Sequence, residues 1–86
     1  MHELSIAMEV CRIAEDRVGL AALRDVREIG VVIGLRSGVE PDSLRFCLEM
    51  LLEQEPFAGA RPVFEITPGE DLRVSYLEVD DERPTH

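Results

Sequence analysis

Few side chains in this sequence could bind a metal or attack a substrate, and the first of them lies at its start. The chain opens MHELSIA, which places His2 directly behind the first methionine. A start site needs no histidine, so His2 is either incidental or part of a ligand set formed with the amino terminus. The second histidine, His86, falls in the polar segment 81–86, which we expect to be a flexible tail.

The two cysteines, Cys11 and Cys47, lie far apart in apolar stretches. They form no C-x-x-C pair, and no secretory leader pattern precedes them. We interpret them as small core residues with reduced thiols rather than as metal or redox groups, and we expect a cytoplasmic protein. No apolar run is long enough to span a bilayer, so no membrane partner is expected.

Composition excludes several classes of function. The chain has 86 residues and a formal net charge of −9, and all nine cationic side chains are arginine. Nucleic acid is therefore not an expected partner, since backbone phosphates require a basic face. Without lysine there is no P-loop lysine or Schiff-base nucleophile, and no histidine accompanies a serine or cysteine nucleophile. We expect a single domain, residues 1–80, with no enzymatic activity.

Two helices are predicted from apolar residues at helical spacing. The first runs from Glu3 to about Val18, before Gly19. The second begins at Pro41, a favoured residue in a first helical turn. The solvent-facing side of the first helix is predicted to consist of Ser5, Glu9, Arg12 and Asp16, and the core side of the second helix of Leu44, Cys47, Leu48 and Leu51.

Phe46 and Met50 form an additional apolar strip on the second helix, because they are four residues apart. The strip fits either a wider core contact, which we favour, or an edge that faces a partner protein.

Three strands are predicted from period-two alternation. In the first, Ile29, Val31, Ile33 and Leu35 alternate with a face that carries two glycines, which suggests a bend or a close approach there. The last two strands, ARPVFEIT and EDLRVSYLEVD, are predicted to form a hairpin joined by a type II turn at Pro68 and Gly69. Pro62 predicts that its strand either starts there or lies at a sheet edge, and a phase change near Ser75 and Tyr76 predicts a β-bulge.

The predicted order is α-β-α-β-β. We therefore expect an α+β fold in which two helices pack on one face of a three-stranded, mainly antiparallel sheet.

At this point the sequence resembles the HypA/HybF family of hydrogenase nickel-incorporation proteins. The opening MHELSIA is the most specific shared piece, and V-x-x-I-x-V-x-I-G-L-x-S-G-V from Val26 to Val39 supports it. Pro41 and Leu44, the GAR string at 59–61 and the closing LRVSYLEVD follow in family order. The resemblance covers nearly the whole chain.

One departure from the family pattern is large. Family members carry a zinc module with two C-x-x-C pairs between the last two strands, whereas this chain has only the short segment TPGE, residues 67–70. Cys11 and Cys47 lie on different helices and cannot supply four converging ligands. We therefore expect a nickel-binding domain without a zinc site.

The resemblance implies that Met1, His2 and Glu3 form a site for Ni(II), carried as cargo. A terminal amine, the amide nitrogen of His2 and the imidazole Nδ1 can close adjoining chelate rings, and Ni(II) accepts planar nitrogen donors. A backbone nitrogen near Glu3 or an outside ligand would complete the plane. Glu3 also has a simpler explanation, because an acidic residue is favoured in the first turn of a helix.

Two functions follow from the resemblance. The first is a nickel metallochaperone for [NiFe]-hydrogenase maturation, with a maturation GTPase, the hydrogenase large subunit or both as partners. The second is an interaction module without metal that uses Phe46, Met50 and the strand edge at Pro62. The unpaired sheet edge also leaves room for a homodimer.

Overall fold

The computed structural model describes residues 3–80, which form helices and a small sheet. The α+β class is confirmed. In chain order the elements are α1 (Glu3–Val18), a 3₁₀ helix (Leu20–Asp25), β1 (Val26–Gly34), α2 (Pro41–Leu52), β2 (Arg61–Thr67) and β3 (Leu72–Val79). The short 3₁₀ helix is not predicted by the sequence patterns above.

The two α-helices pack on each other and place their apolar sides over one sheet face. The buried residues on them are Ala7, Val10, Ala14, Leu44, Leu48 and Leu52. On the solvent side of α1, Arg12 forms ion pairs with Glu9 and, at 2.7 Å, with Asp16. The predicted polar face of α1 is therefore confirmed.

β1 is the central strand of a sheet with the order β2-β1-β3. It pairs with β2 in parallel and with β3 in antiparallel orientation, so the sheet is mixed rather than mainly antiparallel. The parallel pairing fits the connectivity, because α2 between β1 and β2 supplies the crossover that parallel neighbours need. Ile29, Val31 and Ile33 face the core, while Val32 is also buried at 1% exposure on the opposite face.

The predicted hairpin between the last two strands is wrong, because β2 and β3 lie on opposite sides of β1. The segment between them instead crosses the end of β1. It is held there by hydrogen bonds from the Gly34, Leu35 and Arg36 amides to main-chain carbonyls of residues 67–71, with N···O distances of 2.6 to 2.9 Å. Gly69 does not have a positive φ, so the predicted type II turn is absent.

The glycines on the second face of β1 allow two close approaches. A Cβ on Gly34 would lie 2.2 Å from the Gly69 carbonyl oxygen, and one on Gly30 would lie 2.2 Å from the ring of Tyr76. The sequence-based expectation of a close approach at these glycines is confirmed.

Leu35, predicted to continue the strand, instead lies beyond it and is 71% exposed.

Two predictions about the strands are confirmed. The β1–β3 register shifts between Gly30 and Val31 and leaves Ser75 as an extra residue, which is the predicted bulge. β2, which contains Pro62, is an edge strand.

The core position that we favour for Phe46 and Met50 is wrong. Their side chains are 64% and 44% exposed, because α2 buries Leu44, Leu48 and Leu52 instead.

No helix within residues 3–80 is both long and apolar enough to cross a membrane. The predictions for Met1, His2 and segment 81–86 lie outside the described residues.

We predict that Gly34→Ala lowers the free energy of unfolding by about 2–3 kcal/mol, because the added methyl group meets backbone atoms of the crossing segment. Urea denaturation of the variant and of Gly69→Ala measures the effect. A Cβ at Gly69 has nothing within 4 Å, so this control should change stability by less than about 0.5 kcal/mol. Equal stability losses in the two variants would show that the crossing segment is not tightly packed on β1.

Candidate metal centre at the amino terminus

Of the three residues that the resemblance assigns to nickel, only Glu3 lies within the described part of the chain. Glu3 is the first residue of α1 and is partly buried. Within residues 3–80 no group of three or more His, Cys, Asp or Glu side chains could hold a metal ion.

Glu3 is anchored to the start of the other α-helix. Its carboxylate Oε2 accepts a hydrogen bond from the backbone N–H of Glu40 at 3.0 Å. Glu40 is in turn the N-cap of α2, and its carboxylate accepts hydrogen bonds from the Asp42 and Ser43 amides at 2.9 and 3.2 Å. The starts of α1 and α2 thus lie side by side, each with a carboxylate where unpaired helix N–H groups favour negative charge.

The loop between β1 and α2 brings Glu40 to this position. The Val39 amide donates to the Ser37 hydroxyl oxygen at 3.3 Å, and Gly38 has a φ of +85°, a conformation that favours glycine. The string SGVEP in the sequence is thus the turn and the helix cap that meet Glu3. The Glu3–Glu40 contact joins residues far apart in the chain, so local patterns gave no signal for it.

The cysteines contribute no metal site. Both are free and partly buried against the core, which confirms their interpretation as core residues. Burial raises the pKa of the Cys11 thiol to about 11. This thiol is therefore protonated at neutral pH, whereas metal ligation and nucleophilic attack need the thiolate.

The one tyrosine is engaged in packing and hydrogen bonding rather than chemistry. The Tyr76 ring covers Gly30, and its hydroxyl donates to Glu28 at 3.1 Å. Desolvation, with the Glu28 carboxylate as a further cause, raises the pKa of Tyr76 and keeps the phenol protonated. Glu28 also accepts from Arg61 at 3.1 Å, so the three side chains tie all three strands together on the open sheet face.

Exposed apolar side chains lie close to the terminus. Leu4, next to Glu3, is 48% exposed and Met8 is 58% exposed. A shallow groove between the helices is lined by Met8, Cys11 and Leu51 among others, so Met8 lies toward α2. Phe46 and Met50 add exposed apolar surface on α2 itself.

Comparison with known proteins gives one consistent result. A family model described as "Hydrogenase/urease nickel incorporation, metallochaperone, hypA" matches residues 1–73. The chain is 38% identical over 68 residues to Hydrogenase maturation factor HypA of Chloroflexus aurantiacus, which covers 79% of this chain and 60% of that protein. The protein of the same name from Geobacter metallireducens is 41% identical over 69 residues, covering 80% of this chain and 60% of the relative.

A third relative, Hydrogenase maturation factor HypA of Methanopyrus kandleri, is 38% identical over 69 residues, which are 80% of this chain and 49% of that protein. The chain thus spans less than two thirds of the length of these relatives.

We predict that Glu40→Ala lowers the free energy of unfolding by about 1 kcal/mol, because two amides of α2 lose their cap. Glu49→Ala, on the solvent side of the same helix, removes an equal charge and should change stability by less than about 0.5 kcal/mol. Thermal unfolding followed by circular dichroism distinguishes the two. A Glu40→Ala protein as stable as the Glu49→Ala control would contradict the capping role.

Proposed function

Because the chain belongs to the HypA family, we propose that it is a nickel metallochaperone for [NiFe]-hydrogenase maturation that binds Ni(II) through Met1, His2 and Glu3. The observation that carries this proposal is the extent of the family match, which begins at residue 1 and so includes the sequence MHE.

The proposed ligands are nitrogen atoms. The amine of Met1, the amide and imidazole Nδ1 of His2 and a backbone nitrogen near Glu3 would supply the planar donor set that Ni(II) accepts. One carboxylate oxygen of Glu3 is already engaged with the Glu40 amide, which favours a backbone rather than a carboxylate contribution from Glu3. The carboxylate then holds the start of α1 in place beside α2, and the chelate forms on this fixed end.

We further propose that no zinc is resident in this chain. The segment that joins β2 to β3, residues 68–71, contains neither cysteine nor histidine. Its backbone is engaged with the end of β1, which leaves the two strands directly connected. The protonated thiol of Cys11 also fits zinc ligation poorly.

The proposed partners are the maturation GTPase and the hydrogenase large subunit, and neither nucleic acid nor membrane is expected. The net charge of −9 supports the first exclusion. We propose no catalytic activity, since the carrier only binds and releases its ion. An exposed apolar surface at Leu4 and Met8, close to the chelate, suits transient contact with the protein that receives the metal.

A nickel titration tests the proposal. Ni(II) added to untagged protein with a native amino terminus should produce the yellow absorption band of planar nickel, saturating at about one equivalent. His2→Gln should abolish the band because it removes the imidazole, and acetylation of the Met1 amine should abolish it because an acetylated nitrogen no longer coordinates. Glu3→Gln should retain the band, because its backbone nitrogen is unchanged.

His86→Gln is the matched control, because it removes the only other histidine and should leave the titration unaltered. A band that survives both His2→Gln and acetylation of the Met1 amine would refute the terminal chelate.

The second candidate function is a metal-free interaction module in hydrogenase maturation. The exposure of Phe46 and Met50, 64% and 44%, favours this candidate, since large apolar side chains on a helix surface are typical of protein contacts. The edge strand that contains Pro62 is the second part of the surface that we assign to it.

Binding to the purified GTPase and hydrogenase large subunit distinguishes the two candidates. For the interaction module, Phe46→Ser with Met50→Ser should weaken binding at least about tenfold, while His2→Gln should have no effect. For the metallochaperone, nickel transfer should fail in His2→Gln even where binding persists. Leu35→Ser, a change at an apolar side chain exposed elsewhere, controls for general loss of surface hydrophobicity.

A further inference from the structure

Within residues 3–80, β3 is an edge strand, and the backbone groups and side chains on its outer side are complementary to those of a second copy of the same strand. We infer that this edge pairs with β3 of a second copy of the chain, in antiparallel orientation, with Val74 opposite Leu77 of the second copy. This inference does not depend on nickel binding.

The bonds to β1 determine which β3 groups face outward. The Gly34 amide donates to the Asp71 carbonyl, and the Asp80 amide donates to the Asp25 carbonyl. The backbone groups of Asp71 and Asp80, which flank β3, therefore point toward β1. Backbone groups alternate along a strand, and the bulge at Ser75 resets the alternation. The N–H and C=O groups that point away from β1 are therefore those of Leu72, Val74, Leu77 and Val79.

One contact in the structure agrees with this assignment. The Arg17 side chain donates to the Val74 carbonyl oxygen at 3.3 Å, across the outer side of β3. This is a long, single hydrogen bond, and strand pairing would replace it with a main-chain bond from Leu77 of the second copy.

The outward groups fit one antiparallel register. With Val74 opposite Leu77 of the second copy, Leu72 lies opposite Val79, and all four outward residues of each strand meet outward residues of the other. If the register shifts by two residues in either direction, one residue of each strand whose N–H and C=O point outward faces a residue whose groups point toward its own β1. Another outward residue of each strand then lies beyond the end of the partner strand. Both mismatches arise because Ser75 breaks the alternation. The bulge thus selects the register.

Side chains are complementary in the same register. The four outward residues are apolar and lie on the helix side of the sheet. Leu72 shares the sequence phase of buried Val74, and Leu77 and Val79 pack against the core beyond the bulge. On the open side, Arg73 falls opposite Glu78 of the second copy, and the two-fold symmetry repeats the ion pair. Opposite charges meet twice, although the chain as a whole is strongly acidic.

An apolar groove borders this edge on the helix side of the sheet. A mainly apolar groove of about 130 Å³ lies between α1 and β3, lined by Ile6, Val10 and Ile13 with Leu72 and Val74. Leu77 of the second copy would lie beside Val74 at the border of this groove. The opposite edge of the sheet is less suitable, since Pro62 on β2 has no N–H to donate.

Sedimentation equilibrium of the full chain at about 0.15 M salt, where long-range repulsion is screened, tests the inference. We expect a reversible dimer at concentrations within about 10–500 µM. Arg73→Glu or Glu78→Arg alone should raise the dissociation constant at least about tenfold, because like charges then face each other twice. The double variant Arg73→Glu/Glu78→Arg should restore it to within about threefold of wild type.

Two variants control for net charge. Arg36→Glu changes the charge as Arg73→Glu does, and Glu65→Arg on β2 changes it as Glu78→Arg does. Both should leave the dimer intact. A chain that stays monomeric at about 1 mM, or a dimer that the β3 variants and their controls weaken equally, would overturn the inference.

Amide hydrogen exchange provides the register independently. The amides of Leu72, Val74, Leu77 and Val79 should become slower to exchange as protein concentration rises, whereas those on the outer side of β2 should not change. Concentration-dependent protection on β2 instead of β3 would assign the dimer to the other edge and overturn the inference. Because these experiments contain no nickel, their failure leaves the terminal chelate intact.

Discussion

The burial of β1 on both faces is the constraint on which the rest of the structure depends. Its core face is covered by α1 and α2, and its other face is closed by the Tyr76 ring and by the segment that crosses its end. Both close contacts require glycine, at Gly30 and Gly34, because a Cβ at either position would overlap neighbouring atoms. The crossing segment then fixes β2 and β3 on opposite sides of β1 and leaves each as a sheet edge.

The position of the start of α1 follows from the same arrangement. The loop that leaves β1 at its crossed end turns through Gly38 and delivers Glu40 to the start of α2. Glu40 both caps its own helix and donates its amide to Glu3, so the start of α1 is held by the sheet through a single loop. The terminal chelate that we propose would need no fold for its geometry. The contribution of the fold is to hold the start of α1, where Leu4 and Met8 are exposed.

The sequence patterns were sufficient for the two α-helices and the three strands, but they missed the 3₁₀ helix and did not determine which strands pair. Helical spacing predicted α1 to its ends, Pro41 predicted the start of α2, and the phase change at Ser75 predicted the bulge. The hairpin failed because a proline–glycine pair indicates a turn without saying which strands it joins. The strand-helix-strand order of β1, α2 and β2 was the available signal, since it permits parallel neighbours and so leaves the other side of β1 for β3. The Glu3–Glu40 contact had no local signal, because it depends on how two helices meet.

The two edge strands differ in how readily their outer N–H and C=O groups could pair with an added strand. On β2, Pro62 lacks an amide hydrogen, so that edge is interrupted by its own sequence. On β3 the outer groups are covered at Val74 by one hydrogen bond from Arg17, a side chain that can rotate away. The bulge that fits β3 to β1 also limits the registers in which its outer side can be extended. Selectivity at this edge therefore comes from the irregularity of the strand, because a regular strand of the same length would accept several registers and partners.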